Sequence, residues 1–438
     1  MSTDRRQEAR LAIVKLAEIL MKQIGPIWNK PVRGELYVRH KPEKITYGEE
    51  GIITGCQWTS EYITRPSTFH LGVWKISEFE KTQDYQDILT KLSDIFKLRK
   101  ESIRQMLSSF LENAISGGMR GNIDLLIDDL EGKPPSWHVT AKMYGVIPES
   151  QEIQLSEGVK LRRVKDEDLT FEVPAFRLVG REDILSTPHS ILEISLLSSN
   201  PNDVQKKIEK VTILLSLFKE TCASYERYSM KAESFGQFGG TLSRGRPLSH
   251  DPKVVIRNSE LDHLSKFIRY FEPRIPDAVI FGEPLDPLEV SLKRYLESIR
   301  ENLHIEEKLT RAVMGLESLF LENETELRFR LAVRVAQLLG CMNEDSSTVY
   351  ATVSEAYDYR SSHVHGSVLT ADKKLKAKEV LDKIWRYLRK AILLWLVEDV
   401  SSEAKKRLFL KQLDKALIDD SQRQNLKSRI EAEKTKLK

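Results

Sequence analysis

The stretch KLKAKEVLDKIWRYLRKAILLWLVE, residues 374–398, decides the architecture of the C-terminal part of this chain. Its apolar residues recur every three or four positions, which is the spacing of one face of an α-helix. The members of this apolar stripe are Leu381, Ile384, Trp385, Leu388, Ile392 and Trp395. A helix buries such a stripe against other helices, so the stretch predicts the core of a helical bundle.

Helical spacing extends to both sides of this stretch. The sequence predicts helices near 288–303, 305–322, 326–340, 347–364, 374–398 and 402–436, joined by short turns. We assign residues 285–400 to a helical bundle and residues 401–438 to a charged C-terminal helix. Four prolines precede the bundle and interrupt regular structure, namely Pro273, Pro276, Pro284 and Pro287. These prolines mark the clearest domain boundary in the chain.

The region before the prolines combines helical and strand patterns. The chain opens with an amphipathic helix whose apolar face carries Ile13, Leu16, Leu20 and Ile24. This helix is predicted to end near Gly25 and Pro26. Strict alternation in WHVTAKMYGVI, residues 137–147, predicts a strand that places Trp137, Val139, Ala141 and Met143 on one face. Residues 234–251, rich in Gly, Ser and Arg, predict a loop.

The fold class predicted from these patterns is α+β. A mixed α/β region over residues 1–272 is followed by an all-α bundle. The α/β region divides into two candidate subdomains, residues 1–132 and 133–272.

Composition limits the classes of function. Hydrophobic residues at 40% and charged residues at 30% of 438 positions are typical of a soluble globular protein. The net charge of +3 excludes a polycationic surface, so any nucleic-acid site has to come from local clustering. The longest apolar run, AILLWLV at 391–397, is about a third of a membrane span. Three distant cysteines, Cys56, Cys222 and Cys341, suit a reducing compartment. We therefore expect a cytoplasmic protein with no membrane association.

Two charged patterns have structural explanations. Asp124, Asp128 and Asp129 in DLLIDD are the polar face of a helix, and no cluster of His and Cys has zinc spacing. We therefore expect no metal and no cofactor. The residues Glu326, Arg330 and Arg334 follow one another at steps of four, which predicts ion pairs within one helix.

The stretch YDYRSSHVHG, Tyr357 to Gly366, carries an arginine five positions before a histidine. Arginine stays charged and offers a planar fork that matches two phosphate oxygens. Histidine can give or take a proton near neutral pH. Arg360 and His365 are therefore candidates for a site that binds a phosphate and transfers a proton.

The spacing alone is weak evidence, because four other arginine–histidine pairs have four to six intervening residues. They are Arg33 and His40, Arg65 and His70, Arg244 and His250, and Arg257 and His263. The pair of Arg360 and His365 differs because it lies where a bundle helix ends. Gly366 is placed to terminate that helix in the left-handed conformation.

Helical geometry separates the two side chains. At about 100° per residue, His363 projects about 60° from Arg360, whereas His365 lies about 140° from it if the helix continues. A joint site therefore needs either local unwinding or a second copy of the chain. A symmetric dimer would supply that copy.

Three blocks of the bundle resemble, in order and spacing, the Apea-type branch of the HEPN domains. They are TRAVMGLESLF (310–320), ELRFRLAVRVAQLLG (326–340) and YDYRSSHVHG (357–366). The resemblance covers roughly residues 285–400, about a quarter of the chain.

The resemblance implies an activity and a site. In HEPN proteins an arginine and a histidine separated by four to six residues form a metal-independent ribonuclease site, usually across a dimer of helical bundles. By position, Arg360 matches the family arginine and His365 the family histidine. Ser361 departs from the Asn, Asp or His that most often follows the arginine, although serine is normal in the Apea-type branch.

Side chains near the pair have two interpretations each. His363 either supports catalysis or is an ordinary helix histidine. Ser361 either supports the site or bonds back to a carbonyl, and Tyr357 either stacks on a base or packs in an interface. Four lysines follow the motif and either bind RNA phosphates or form a solvated turn, namely Lys373, Lys374, Lys376 and Lys378.

Two functional hypotheses follow. The first is a metal-independent RNA endonuclease in which a dimeric bundle cuts RNA and residues 1–272 sense or position something. The resemblance suggests a toxin or an antiviral-defence effector. The second is a non-catalytic RNA-binding or dimerising scaffold. The two differ in whether Arg360 and His365 of two chains converge on an open, positively charged cleft.

Overall fold

The computed structural model describes residues 3–28, 34–47, 53–66, 76–117, 122–174, 188–236, 240–243, 254–283, 286–300, 303–322, 325–366, 370–400 and 402–437. Within these ranges the chain is a mixed α+β protein. Sheets occupy the N-terminal region and helices fill the C-terminal region, as the sequence predicts.

The strands form two larger sheets and one short parallel pair. The strands are β1 (Gly34–Tyr47), β2 (Ile53–Pro66), β3 (Ser136–Tyr144), β4 (Val146–Pro148), β5 (Glu152–Ser156), β6 (Val159–Arg162), β7 (Phe171–Pro174), β8 (Ser190–Leu197), β9 (Ser224–Glu233), β10 (Gly240–Ser243) and β11 (Val254–Ile256). The six-stranded sheet has the order β10-β9-β3-β8-β6-β5, and the three-stranded sheet has the order β2-β1-β7. Strand β11 pairs with β4 in parallel.

The helices precede, cover and follow these sheets. They are α1 (Thr3–Trp28), α2 (Gln83–Phe96), α3 (Lys100–Gly117), α4 (Asn122–Leu130), α5 (Asp166–Leu169), α6 (Pro201–Phe218), α7 (Leu261–Phe271), α8 (Ala278–Phe281), α9 (Pro287–Arg300), α10 (Ile305–Phe320), α11 (Leu327–Cys341), α12 (Ser346–Val364), α13 (Ala371–Val397), α14 (Glu403–Ile418) and α15 (Asp420–Leu437).

Strand β3 confirms the prediction from the alternating pattern. Its four alternating apolar residues, from Trp137 to Met143, are at most 2% exposed and join the hydrophobic core that also contains α6. The strand pairs antiparallel with β8 on one side and with β9 on the other. Because successive side chains of a strand point to opposite faces, the polar residues between the apolar ones face the other side of the sheet.

The predicted loop over residues 234–251 contains a strand. Strand β10 (Gly240–Ser243) pairs antiparallel with β9. Edge pairing supplies backbone hydrogen bonds to this short segment, which its glycine-rich composition does not predict. Residues 237–239 and 244–251 lie outside the described residues.

Helices α1 to α4 contribute to a second hydrophobic core, which also includes Ile76, Phe79 and Phe235. Ile13, Leu16 and Leu20 of α1 are fully buried in it, whereas the side chain of Ile24 lies outside the described residues. Helix α1 continues to Trp28, beyond its predicted end, because a proline in the last turn removes only one backbone hydrogen bond.

The bundle helices confirm the prediction from the apolar stripe. Leu381, Ile384, Leu388, Ile392 and Trp395 are at most 2% exposed. The remaining member of the stripe, Trp385, is partly buried, and its Nε1 donates to Ser298 Oγ at 3.0 Å. Helix α9 begins at Pro287, a position where the missing N–H and fixed φ of proline are favourable.

Over the described residues 402–437 the C-terminal segment is two helices, which corrects the prediction of a single charged helix over 401–438. Asp419 interrupts the segment with an extended backbone, φ −123° and ψ 109°. Its Oδ1 accepts from the backbone N of Ser421 at 2.8 Å and of Gln422 at 3.3 Å. Aspartate is a weak helix former and a strong N-cap, so it starts α15 and ends α14. Both helices add buried residues to the bundle core, among them Phe409 and Ile430.

Arg334 binds a neighbouring helix, which corrects the prediction of ion pairs within α11. Its Nε and Nη2 each lie 2.9 Å from the carboxylate of Asp414 on α14. Its Nη1 donates to the carbonyl of Phe320 at 2.7 Å, and the residue is 4% exposed. Because Arg334 bonds both α10 and α14, it holds three helices together.

We expect Arg334→Met to lower the free energy of unfolding by roughly 1–3 kcal/mol, because the buried carbonyl of Phe320 loses its donor. Urea denaturation measures this change. The control is Arg328→Met, since the ion pair of Arg328 with Asp358 at 2.8 Å has both side chains about half exposed and contributes about 1 kcal/mol or less. Equal effects of the two substitutions would contradict the bridging role of Arg334.

The bundle also contacts the C-terminal end of α6. Tyr295 Oη donates to the carbonyl of Ser216 at 3.1 Å, and Arg389 Nη1 donates to the carbonyls of Leu217 at 2.8 Å and Phe218 at 3.1 Å. The last carbonyls of a helix have no partner within it, and a cation there is favourable. One continuous hydrophobic core extends from Trp137 in the sheet to Ile430 in the last helix.

Candidate functional site

The motif lies at the C-terminal end of α12. The helix ends at Val364, and His365 follows with φ −85° and ψ 12°. Gly366 has φ 80°, which confirms the prediction of a left-handed terminating glycine. The N–H of His365 donates to the carbonyl of Ser361 at 3.1 Å, and the N–H of Gly366 donates to that of His363 at 2.9 Å. His365 therefore lies in the turn that ends the helix.

The side chain of Arg360 contacts a carboxylate and is also partly exposed to solvent. Its Nη2 lies 3.4 Å from Glu317 Oε2 on α10, and its side chain is 27% exposed. Its Nε is buried and has no hydrogen-bond partner among the described residues. Since Nε is buried, the exposed area belongs to other atoms of the side chain. The guanidinium carbon also lies 5.7 Å from the centre of the Tyr357 ring, a distance that permits a cation–π contact.

Glu317 is the site residue that sequence reasoning missed. Burial raises the pKa of its carboxyl, and the nearby charge of Arg360 opposes that rise. The residue stands in the block TRAVMGLESLF between Leu316 and Leu319, both of which are fully buried. An acidic residue inside an apolar helical stripe needs a counter-charge, and this signal could have identified it.

The two histidines differ in exposure. His365 is exposed, whereas His363 and Ser361 are partly buried. Arg360 faces α10 through Glu317, and His365 lies in the turn beyond the helix. The two candidate catalytic side chains are thus presented at the same end of α12, in different environments.

The lysines after the motif are partly neutralised. Lys374 Nζ lies 3.5 Å from Glu306 Oε1, and Lys376 Nζ lies 2.8 Å from Glu355 Oε1. The hydrogen bond that Lys376 donates to the Glu355 carboxylate raises the pKa of Lys376. The other two lysines, Lys373 and Lys378, are exposed on the first turns of α13. Since two of the four already have carboxylate partners, the lysines offer phosphates less charge than their number suggests.

Two apolar side chains are exposed, one within the motif and one shortly after it. Val364 is 57% exposed at the last helical position of α12, and Leu375 is 68% exposed in the first turns of α13. Apolar residues of this size cost free energy in water, and burial against another chain would remove that cost.

The competing pair of Arg257 and His263 has structural partners. The backbone N–H of Arg257 donates to Glu260 Oε2 at 2.9 Å at the start of a helical segment. The ring of His263 packs edge-on against Phe218, with 5.2 Å between ring centres. The ring contact gives His263 a structural role, and the hydrogen bond of Arg257 uses only its backbone.

The aspartates of DLLIDD also have structural partners. Asp124 and Asp128 of α4 form ion pairs with Arg10 and Arg6 of α1, at 2.8 and 2.6 Å. Asp129 accepts the backbone N–H of Phe235 at 2.6 Å, and burial raises the pKa of its carboxyl. Over the described residues, no group of three or more His, Cys, Asp or Glu side chains has the arrangement of a metal site.

Two further observations concern the whole of the described chain. Cys56, Cys222 and Cys341 are free thiols. Among the helices of the ranges given above, none combines the length and the apolar character that a bilayer crossing requires.

Comparison of the chain with models of protein families, with curated proteins and with solved structures finds no match.

Proposed function

We propose that this protein is a metal-independent RNA endonuclease of the HEPN type, with Arg360 and His365 as its catalytic residues. The observation that carries the proposal is the end of α12. There a partly exposed arginine, anchored by Glu317, precedes an exposed histidine in the turn formed by Gly366. These are a cation for phosphate and a group that transfers protons.

Cleavage of RNA can proceed with these two kinds of group, because RNA supplies its own nucleophile. The 2′-hydroxyl is the nucleophile, so cleavage requires a base for its proton and an acid for the departing 5′-oxygen. Two symmetry-related copies of His365 serve as base and acid. Two copies of Arg360 stabilise the negative charge that builds on the phosphate in the transition state. His363, Ser361 and Tyr357 are supporting residues.

The site is assembled by a homodimer. Val364 within the motif and Leu375 after it are exposed apolar residues that supply contact area for a second copy. Lys373 and Lys378 extend the RNA contact away from the motif, together with a smaller contribution from Lys374 and Lys376.

The bundle over residues 285–400 carries the activity in the cytoplasm. The region 1–272, with its units 1–132 and 133–272, recognises the signal that activates cleavage. A nuclease under such control acts as a toxin or as an effector of antiviral defence.

We expect purified protein to cut total cellular RNA in the presence of excess EDTA and to leave 2′,3′-cyclic phosphate ends, because the 2′-hydroxyl attacks and arginine supplies the positive charge. Mapping the cleaved ends, with and without chelator, measures both features. Substrate with a 2′-deoxy residue at the cleaved position is the control and should stay intact. Activity that is lost with chelator and restored by magnesium would contradict the mechanism.

The alternative function is a non-catalytic RNA-binding or dimerising scaffold. The ion pair between Arg360 and Glu317 favours it, because a structural arginine has the same kind of partner. A protein that dimerises and binds RNA but produces no new RNA ends would establish this alternative.

A further inference from the structure

Glu317 stands in an unusual place for a carboxylate. Its side chain is 17% exposed and lies on α10 among fully buried apolar residues, including Leu316, Leu319 and Phe320. Such burial disfavours the charged form, and Arg360 is the charged group that offsets this cost.

The contact between the two residues is incomplete. A guanidinium can offer two edges, one made by Nε with one terminal nitrogen and one made by its two terminal nitrogens. In Arg360 the Nε is buried and has no partner among the residues that the structure describes, and Nη2 is 3.4 Å from Glu317, which is at the long limit for a hydrogen bond. The carboxylate therefore contacts one terminal nitrogen, Nη2, while the other terminal nitrogen, Nη1, makes no hydrogen bond within the described residues.

We infer that Glu317 is a positioning residue that holds Nη2 of Arg360, so that the remaining N–H groups of the two terminal nitrogens face the RNA phosphate. This inference rests on the proposed function. Arginine has a long, flexible side chain, and an unanchored guanidinium would sample several orientations. A phosphate that binds the remaining N–H groups meets a guanidinium whose orientation is already fixed. Such preorganisation makes stabilisation of the transition state efficient.

The carboxylate also sets the charge of the site. With Glu317 ionised, the pair of Glu317 and Arg360 is close to neutral, so binding of RNA through Arg360 is weaker than an unpaired arginine would give. Removal of the carboxylate charge should therefore affect RNA binding and catalysis in opposite directions. A residue with only a structural role would not produce such a split.

The test compares Glu317→Gln and Glu317→Ala in the full chain. We expect kcat for a defined RNA to fall about 100-fold in Glu317→Ala, because misplacement of a catalytic group by about 1 Å can cost that much. Glu317→Gln keeps the size and an acceptor oxygen, so it should retain more of kcat. Affinity for a non-cleavable 2′-O-methyl oligoribonucleotide should become tighter in both variants, because the negative charge beside Arg360 is removed.

The same substitutions in an Arg360→Ala background provide the control. If Glu317 acts through Arg360, then Glu317→Ala should change neither cleavage nor binding further in that background. The inference would be overturned if Glu317→Ala lowered kcat equally with Arg360 present and with Arg360→Ala. It would also be overturned if the fall in kcat equalled the fraction of the variant that a thermal melt shows to be unfolded. Wild-type kcat in Glu317→Ala would also overturn it and would leave the nuclease proposal standing. A wild-type protein that cuts no RNA would overturn both.

Discussion

His365→Ala should lower the rate of RNA cleavage by about 100- to 10,000-fold, because it removes the group that transfers protons. The fold should change little, since the His365 side chain is exposed and belongs to neither hydrophobic core of the described residues. Cleavage of a labelled RNA under single-turnover conditions measures the rate. Thermal melting and sedimentation of the same sample report folding and the dimer.

The other arginine–histidine pair near a helix start, Arg257 and His263, provides the control for His365→Ala. Arg257→Ala should leave cleavage intact, because the backbone rather than the side chain of Arg257 makes the hydrogen bond to Glu260. His363→Ala separates the two histidines of the motif, and we expect a smaller loss there because His363 only supports the site. A well-folded His365→Ala dimer with full activity would exclude this motif as the nuclease site.

Arg360→Lys should lower cleavage by roughly 100- to 1,000-fold, the cost of removing one donor that stabilises transition-state charge. The substitution keeps the positive charge opposite Glu317 and loses the planar fork that contacts two phosphate oxygens. Affinity for a non-cleavable 2′-O-methyl oligoribonucleotide should therefore change much less than the rate. Fluorescence anisotropy measures the affinity, and a cleavage assay measures the rate.

The comparison with alanine adds information. Arg360→Ala leaves the buried carboxylate of Glu317 without a counter-charge, so it should lower the melting temperature more than Arg360→Lys does. If Arg360 had only a structural role, Arg360→Lys would reduce stability or dissociate the dimer. RNA cleavage would then fall in proportion to the folded protein.

Local patterns predicted those parts of the fold that depend on neighbouring residues in the chain. Alternation in 137–143 identified β3, and the stripe from Leu381 to Trp395 identified the bundle core, because each pattern matches the period of one element. Gly366 identified the end of α12, because only the local backbone conformation is involved.

Contacts between distant parts of the chain were not predicted. Glu317 and Arg360 are 43 positions apart, and Arg334 and Asp414 are 80 apart, so the spacing rules for one helix do not apply to them. The pair of Lys376 and Glu355 likewise depends on how two helices pack. The sequence identified the residue types of the candidate site, and tertiary packing determined which of them are neutralised.

The hydrogen bonds from Tyr295 and Arg389 to the last carbonyls of α6 limit how readily recombination can transfer this bundle to another protein. A fragment that begins at Pro287 would keep the motif, but it would lose those acceptors and would expose apolar residues of the core that the bundle shares with the sheet and α6. If recombination joined the bundle to a different N-terminal region, that region would have to supply hydrogen-bond acceptors and apolar side chains at the same positions. The two halves of this core are therefore expected to change together during evolution, even though a proline-rich segment lies between them.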